Sequence, residues 1–304
     1  YMFEYEFADS ATRNRGITDA YLRYKGFAPA LLTVGNFKMP FGMEQLTSDN
    51  TTIFLERGVN DILTPGRGIG AELRSAGANW SLAGGMLGEK PDGDVDKEGD
   101  AGWNLAARGT YAPILTSDAV LHVGASACHH TAEDSTNALR FPSKPESNLT
   151  GVYLLDTGVV SNTDHFTSAN AELASLWGPV SFQAEYMHTA LDRGDTAKDV
   201  TFSGWYAQAA WLMTVFDRVI PNASVGLGGI GAWELAARVS EVNLNDGDIV
   251  GGKERNLTLA LNGYLTSNIR LMLNYIRVLE LDRPGNAADQ DEPSIIGVRL
   301  HVDF

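Results

Sequence analysis

Apolar and polar positions alternate with a period of two along most of the chain. At the start, Tyr1, Phe3, Tyr5 and Phe7 fall on one face and Met2, Glu4 and Glu6 on the other. Further on, Trp233, Leu235, Ala237 and Val239 alternate with Glu234, Ala236 and Arg238. Leu257, Leu259, Leu261 and Leu265 oppose Asn256, Thr258, Asn262 and Tyr264, and Ile296, Val298, Leu300, Val302 and Phe304 oppose Arg299, His301 and Asp303. A strand turns successive side chains to opposite faces, so the pattern predicts half-apolar strands; helical periodicity is scarce. It places strands at 1–9, 16–25, 30–38, 66–75, 78–87, 101–112, 118–128, 164–177, 178–190, 200–214, 229–241, 254–265, 268–281 and 294–304.

Most of these strands have about 9–14 residues, enough to cross a bilayer at a tilt and longer than is usual in a soluble sandwich. Short turns at 26–29, 76–77, 113–117, around Gly178-Pro179 and at 266–267 largely alternate with long polar loops at 39–65, 88–100, 129–163, 191–199, 242–253 and 282–293. Tight turns at one end and long loops at the other describe an outer-membrane barrel. The stretch 215–228 is long where a short turn is due and is read as an enlarged periplasmic turn. A spanning sheet must pair every backbone amide and therefore closes; its lipid face is apolar and its lumen face polar. The expected fold is all-β, one transmembrane antiparallel β-barrel domain over residues 1–304. Tyr1, Phe3, Trp80, Trp103, Tyr111, Trp205, Trp211 and Trp233 fall on the outward face, where aromatic residues form interfacial girdles. The small outward residues Ala169, Ala171, Ala207 and Ala209 are candidates for a subunit contact. The alternative is that these apolar stripes are the buried face of a soluble sheet.

Composition narrows the picture. No run approaches the ~18 apolar residues of a membrane helix. The 23 Lys and Arg against 38 Asp and Glu give a net charge of −15, which argues against nucleic-acid binding. One cysteine, Cys128, excludes a disulfide within the chain. The chain opens at Tyr1 inside an alternating pattern, so further N-terminal sequence is expected before it. By parity the lumen face carries Arg23, Lys25, Lys38, Arg74, Arg108, Arg238, Arg270 and Arg299 against Glu4, Glu6, Asp19, Glu72, Glu172, Glu185, Glu234 and Asp303. That face is balanced, so the acidic excess sits in the loops, 88–100 above all. Rings of Arg and Lys in a wet pore favour anions, and guanidinium pairs phosphate in a bidentate way. The competing reading is that these arginines neutralise lumen carboxylates, for instance Arg108 with Glu72.

Loop 39–65 is too apolar to be solvated, with Met43, Leu46, Ile53, Phe54, Leu55 and Ile62. Folded into the barrel it narrows the pore and brings Arg57 and Lys38 to the constriction; the alternative is a cap against a neighbouring subunit. Other motifs carry less. Gly226-Leu-Gly-Gly-Ile-Gly231 precedes a strand instead of a helix, which fails the dinucleotide context. The acidic run Asp92, Asp94, Asp96 and Glu98 lacks the central glycine of a calcium loop. Cys128-His129-His130 has no second ligand cluster, and His122, His165, His188 and His301 have no nucleophile pattern beside them. No enzyme activity, metal or cofactor is expected.

The chain resembles the phosphate-selective porin O and P family. The resemblance rests on Phe3-Glu-Tyr-Glu-Phe-Ala-Asp9, Asp19-Ala-Tyr-Leu-Arg-Tyr-Lys-Gly26, Val34-Gly-Asn-Phe-Lys-Met-Pro-Phe41, Phe54-Leu-Glu-Arg57 and Pro65-Gly-Arg-Gly-Ile-Gly70. It continues in Trp80-Ser-Leu-Ala-Gly-Gly85, Arg140-Phe-Pro-Ser-Lys-Pro-Glu-Ser147, Gly231-Ala-Trp-Glu-Leu-Ala-Ala-Arg238 and Arg270-Leu-Met-Leu-Asn-Tyr-Ile-Arg277. The segments occur in family order over nearly the whole chain. The resemblance implies a 16-stranded barrel in a bacterial outer membrane, usually a homotrimer, with a third loop folded inward; about two strands then precede Tyr1. A C-terminal aromatic such as Phe304 is the pattern that outer-membrane assembly reads. It also implies anion passage along lumen arginines and lysines: here Arg23, Lys25, Lys38, Arg57, Arg74, Arg108, Arg238, Arg270 and Arg299. The expected partners are outer-membrane lipid and lipopolysaccharide, small anions such as phosphate, and further copies of the chain. A weakly selective general porin and a structural barrel anchoring a surface layer or partner complex are the competing functions.

Overall fold

The computed structural model describes residues 1–7, 16–88, 102–131, 139–194, 197–213, 231–283 and 292–303. Within them the chain is mostly strand: β1 (Met2–Glu6), β2 (Gly16–Phe27), β3 (Ala30–Lys38), β4 (Arg67–Ala76), β5 (Trp80–Gly88), β6 (Trp103–Leu115), β7 (Ala119–Thr131), the two-residue β8 (Pro142–Ser143) and β9 (Leu155–Asp156), β10 (His165–Trp177), β11 (Val180–Asp192), β12 (Val200–Met213), β13 (Ala232–Asp246), β14 (Ile249–Tyr264), β15 (Ile269–Asp282) and β16 (Ser294–Val302). All but β8 and β9 form one 14-stranded sheet in which sequential strands are neighbours. Each strand read from the alternation is present. The acidic run from Glu89 to Asp100, the segment 215–228, the glycine motif apart from Gly231, and Phe304 lie outside the described residues.

Burial is inverted relative to a protein in water. On β13, Ala232, Glu234, Ala236, Arg238 and Ser240 are buried, while Leu235 between them is 43% exposed. On β16, Ile296 and Leu300 are 72% and 64% exposed. An apolar face this continuous needs lipid to cover it. The crossing elements are these strands; no helix among the described residues is long and apolar enough to span a membrane. Curvature is evident from the segment joining β3 to its neighbour β4. On its way it touches the inner faces of β7, β11, β13, β15 and β16. A sheet curled around it brings these strands together, which is the barrel wall.

One loop expectation is corrected. The polar loop expected at 242–253 is strand on both sides of a two-residue turn at Gly247-Asp248, with Gly247 at φ 58°. The alternation simply continues, with Val242 and Leu244 fully buried on the inner face. The outward polar residues belong to strands that run beyond the membrane. Arg255 bonds Glu241 and lies 3.2 Å from Glu280, while Lys253 lies 3.2 Å from Glu280 and 3.6 Å from Glu241. This charge network marks the end of the apolar belt on β13–β15.

Candidate functional site

The inward segment between β3 and β4 contains α1 (Met43–Leu46) and a 3₁₀ turn at Val59–Leu63. A four-residue helix leaves its first amides unpaired. Here Gly42 N donates to Ser126 Oγ at 3.1 Å, and Met43 N and Glu44 N donate to the Glu185 carboxylate at 2.6 and 2.8 Å. Glu185 is fixed in turn by Tyr206 Oη (2.9 Å) and Asn170 Nδ2 (3.0 Å). Beyond α1, Phe54 drops into a seat made by Ala210, Ala236 and Ala260, which are register partners across β12, β13 and β14. Three methyls side by side leave a hollow one ring deep. Asn262 Nδ2 then donates to Ile53 O (2.8 Å), and Arg270 donates to Thr52 O (2.9 Å) and Asn50 O (3.1 Å). Leu55 reaches β16 at Gly297, where a Cβ would stand 2.7 Å from its methyl. The apolar residues that made this segment unfit for water are thus packed against the inner wall.

A second segment also enters the lumen. The 139–164 connection places Glu146, with φ 47°, against the inner wall. Glu146 accepts from Thr258 Oγ1 (2.5 Å), Ser240 Oγ and Val59 N (3.3 Å). Arg238, 1% exposed, joins both segments: it donates to Glu44 Oε1 (3.0 Å), Glu146 Oε2 (2.7 Å) and Glu56 O (2.9 Å), with its guanidinium 4.4 Å from the Phe54 ring centroid. Burial pushes the Glu44 carboxyl up to about 7 despite Arg238, and also raises Glu56 and Asp61. The polar loop expected at 129–163 thus enters the lumen in part, and Glu146 was not among the predicted site residues. The available signal was Leu154, Leu155 and Val160, which are buried here and have no place in a solvated loop.

The predicted basic residues divide into two groups. Arg238 and Arg270 face inward as expected, but their donors hold the inward segments. Lys38 Nζ donates to Gln45 O (2.9 Å), Arg57 pairs with Asp49 and donates to Glu44 O (3.2 Å), and Arg299 lies 3.8 Å from Glu56. A cavity of about 350 Å³ between the two inward segments is lined by Arg57, Lys144, Glu56 and Asp61 among others, a mixed-charge surface.

The second group, Arg23, Lys25, Arg74 and Arg108, stands on β2, β4 and β6, strands that make no hydrogen bond to the inward segments among the described residues, although Ser126, the register partner of Arg108, takes Gly42 N. Arg23 and Lys25 are exposed and have no acidic partner among the described residues; Arg23 lies 4.9 Å from the Tyr21 ring centroid and donates to Thr33 Oγ1 at 3.3 Å. Arg74 gives Nε and Nη2 to Glu72 (3.0 and 3.2 Å), and Arg108 gives Nε (3.1 Å) and Nη2 to Glu172. Both keep the Nη1 side clear of their carboxylates. Register places Arg74 and Arg108 on either side of Ala83, two strand spacings or about 10 Å apart.

The pairing of Arg108 with Glu72 is not formed; Glu72 takes Arg74. Glu172 instead lies across Gly124, its register partner, and reaches both Arg108 and His122 Nε2, the latter at 2.7 Å. A Cβ at Gly124 would lie 2.5 Å from Glu172 Oε1. Gly124→Val is therefore expected to dislodge Glu172 and cost about 1–3 kcal/mol. Unfolding in detergent checks this, with Ala125→Val on the outward face as the control. Of the motif at 128–130, Cys128 and His130 are buried on the inner face and His129 points outward; the described residues hold no group of three metal ligands.

A family model described as phosphate-selective porin O and P matches residues 1–304. Among curated relatives, a protein of Caulobacter vibrioides is 28% identical over 326 residues, covering 100% of this chain and 64% of its own length. Porin O of Pseudomonas aeruginosa is 26% identical over 352 residues, covering 99% of this chain and 78% of its own length. The chain thus spans less than two thirds of the Caulobacter relative. Two solved structures share the fold at low identity. OmpT of Vibrio cholerae in its trimer form has a TM-score of 0.55 at 10% identity, with coverage of 94% of this chain and 80% of that one. The anion-selective porin of Comamonas acidovorans has a TM-score of 0.53 at 10% identity, with coverage of 95% and 75%.

Proposed function

The chain belongs to the phosphate-selective porin O and P family of the bacterial outer membrane, and from that membership we propose that it forms a passive pore for small anions, phosphate among them. One observation carries the reading: Arg23 and Lys25 have no acidic partner among the described residues, and with Arg74 and Arg108 they stand on β2, β4 and β6, strands that do not hydrogen-bond the inward segments there. Those segments bond mainly β7 and β11–β16, so solutes pass beside β2, β4 and β6. An anion there meets Lys25, Arg23 and the Nη1 edges of two arginines. Guanidinium groups so placed bind oxyanions while losing little hydration. Arg238, Arg270, Lys38, Arg57 and Arg299 hold the inward segments and so shape the opening. Passage needs no covalent step. A trimer is the assembly we propose, supported by the trimeric OmpT neighbour; lipid and lipopolysaccharide surround the outward face.

Reversal potentials across planar bilayers in a KCl gradient test the reading. The expected sign is that of anion preference, with chloride conductance falling as inorganic phosphate is added. A cation-selective pore, or one indifferent to phosphate, overturns the corresponding part.

A further inference from the structure

We infer that His122 is a selectivity-determining residue, setting the net charge that the Arg108–Glu172 pair presents to passing ions. The inference rests on the anion-pore reading and adds a group to it. His122 stands on the inner face of β7, partly exposed, with Nε2 2.7 Å from Glu172 Oε1. Glu172 on β10 is wholly buried and shared with Arg108 of β6. With neutral imidazole the three side chains sum to zero. With imidazolium they sum to +1, and the second N–H, on Nδ1, is the added donor.

The surroundings isolate this triad. From β6 the charged group facing His122 is Arg108, and from β10 it is Glu172. Along its own strand the titratable groups are Cys128, His129 and His130 toward the far end, and Asp118 lies in the turn before it. Glu185 on β11, the register partner of Glu172, is directed at the α1 amides and Tyr206. Glu172 therefore cannot neutralise both cations, and protonation of His122 leaves one unit of charge uncompensated. An imidazole can be neutral or cationic, whereas a guanidinium stays charged. Arg108 alone gives a fixed contribution; His122 makes it adjustable.

The test uses the whole chain in planar bilayers with a KCl gradient, since chloride keeps its charge at every pH. The anion-to-cation permeability ratio of the wild type is expected to rise about two- to fivefold from pH 8 to pH 5, the effect of one unit charge felt across a screened ~8 Å. His122→Gln, which keeps a donor toward Glu172, should remove most of that rise. His122→Lys, with a permanent charge, should show the acid ratio already at pH 8. Equal rises in wild type and His122→Gln overturn the inference while anion preference stands. Cation selectivity of the wild type at both pH values overturns the pore reading and this inference with it.

Discussion

Arg238→Ala is expected to destabilise the barrel by about 3–5 kcal/mol, the cost of leaving buried carboxylates without their cation. The substitution strands Glu44 and Glu146 together and uncovers the Phe54 ring. Both inward segments then lose their shared anchor, so single-channel records should show a larger and noisier conductance than wild type. The pH dependence follows from Glu44. A carboxyl raised from its ordinary range to about 7 contributes stability that is full below the unfolded value and is lost as pH rises through about 7. Its ion pair with Arg238 matters where it is ionised. The deficit of Arg238→Ala should accordingly be greatest above pH 7 and shrink as pH falls toward 5. Unfolding in detergent–urea mixtures at pH 5 and pH 8 measures this. An unchanged midpoint and unaltered conductance would show that the two segments are held by other contacts.

Removing the guanidiniums from the opposite wall should act on selectivity instead. Arg74→Gln with Arg108→Gln leaves Glu72 and Glu172 facing the passage, a change of −2 in local charge. At the same two- to fivefold per charge, the anion-to-cation ratio should fall by about 4- to 25-fold. Neutralising each pair as a whole separates net charge from direct contact. If Glu72→Gln/Arg74→Gln restores the wild-type ratio, field alone selects; if the ratio stays low, the Nη1 edges touch the ion. Retention of the wild-type ratio in the double arginine variant would remove these residues from the ion path.

The wall was legible in the sequence because period-two alternation is a local property, visible in five or six residues of β13, β14 or β16. The inward fold of 39–65 was legible for a similar reason: Phe54, Leu55 and Ile62 are costly in water wherever they sit. Partnership was not legible. Glu146 reaches Arg238 across 92 positions of sequence, and Glu172 reaches Arg108 across 64. Parity assigned both arginines to the lumen face but could not say which remains available to an ion. Arg108 was matched with Glu72 because both face the lumen, whereas Gly124, the missing side chain that lets Glu172 through, carries no signal until register is known. The mistaken loop at 242–253 has a different origin. Polar residues on the outward side resemble the end of a strand, but here they mark the end of the hydrocarbon.

That outward lattice of Glu241, Arg255, Lys253 and Glu280 gives the barrel a waterline. Four interlocked charges cannot sink among acyl chains without a heavy penalty, and Trp233 sits at the opposite end of the greasy band on the same strands. The depth at which this flank rides is thus written into its own surface. In bilayers thinner or thicker than its native one, the lipid beside β13–β15 must stretch or compress to meet that mark.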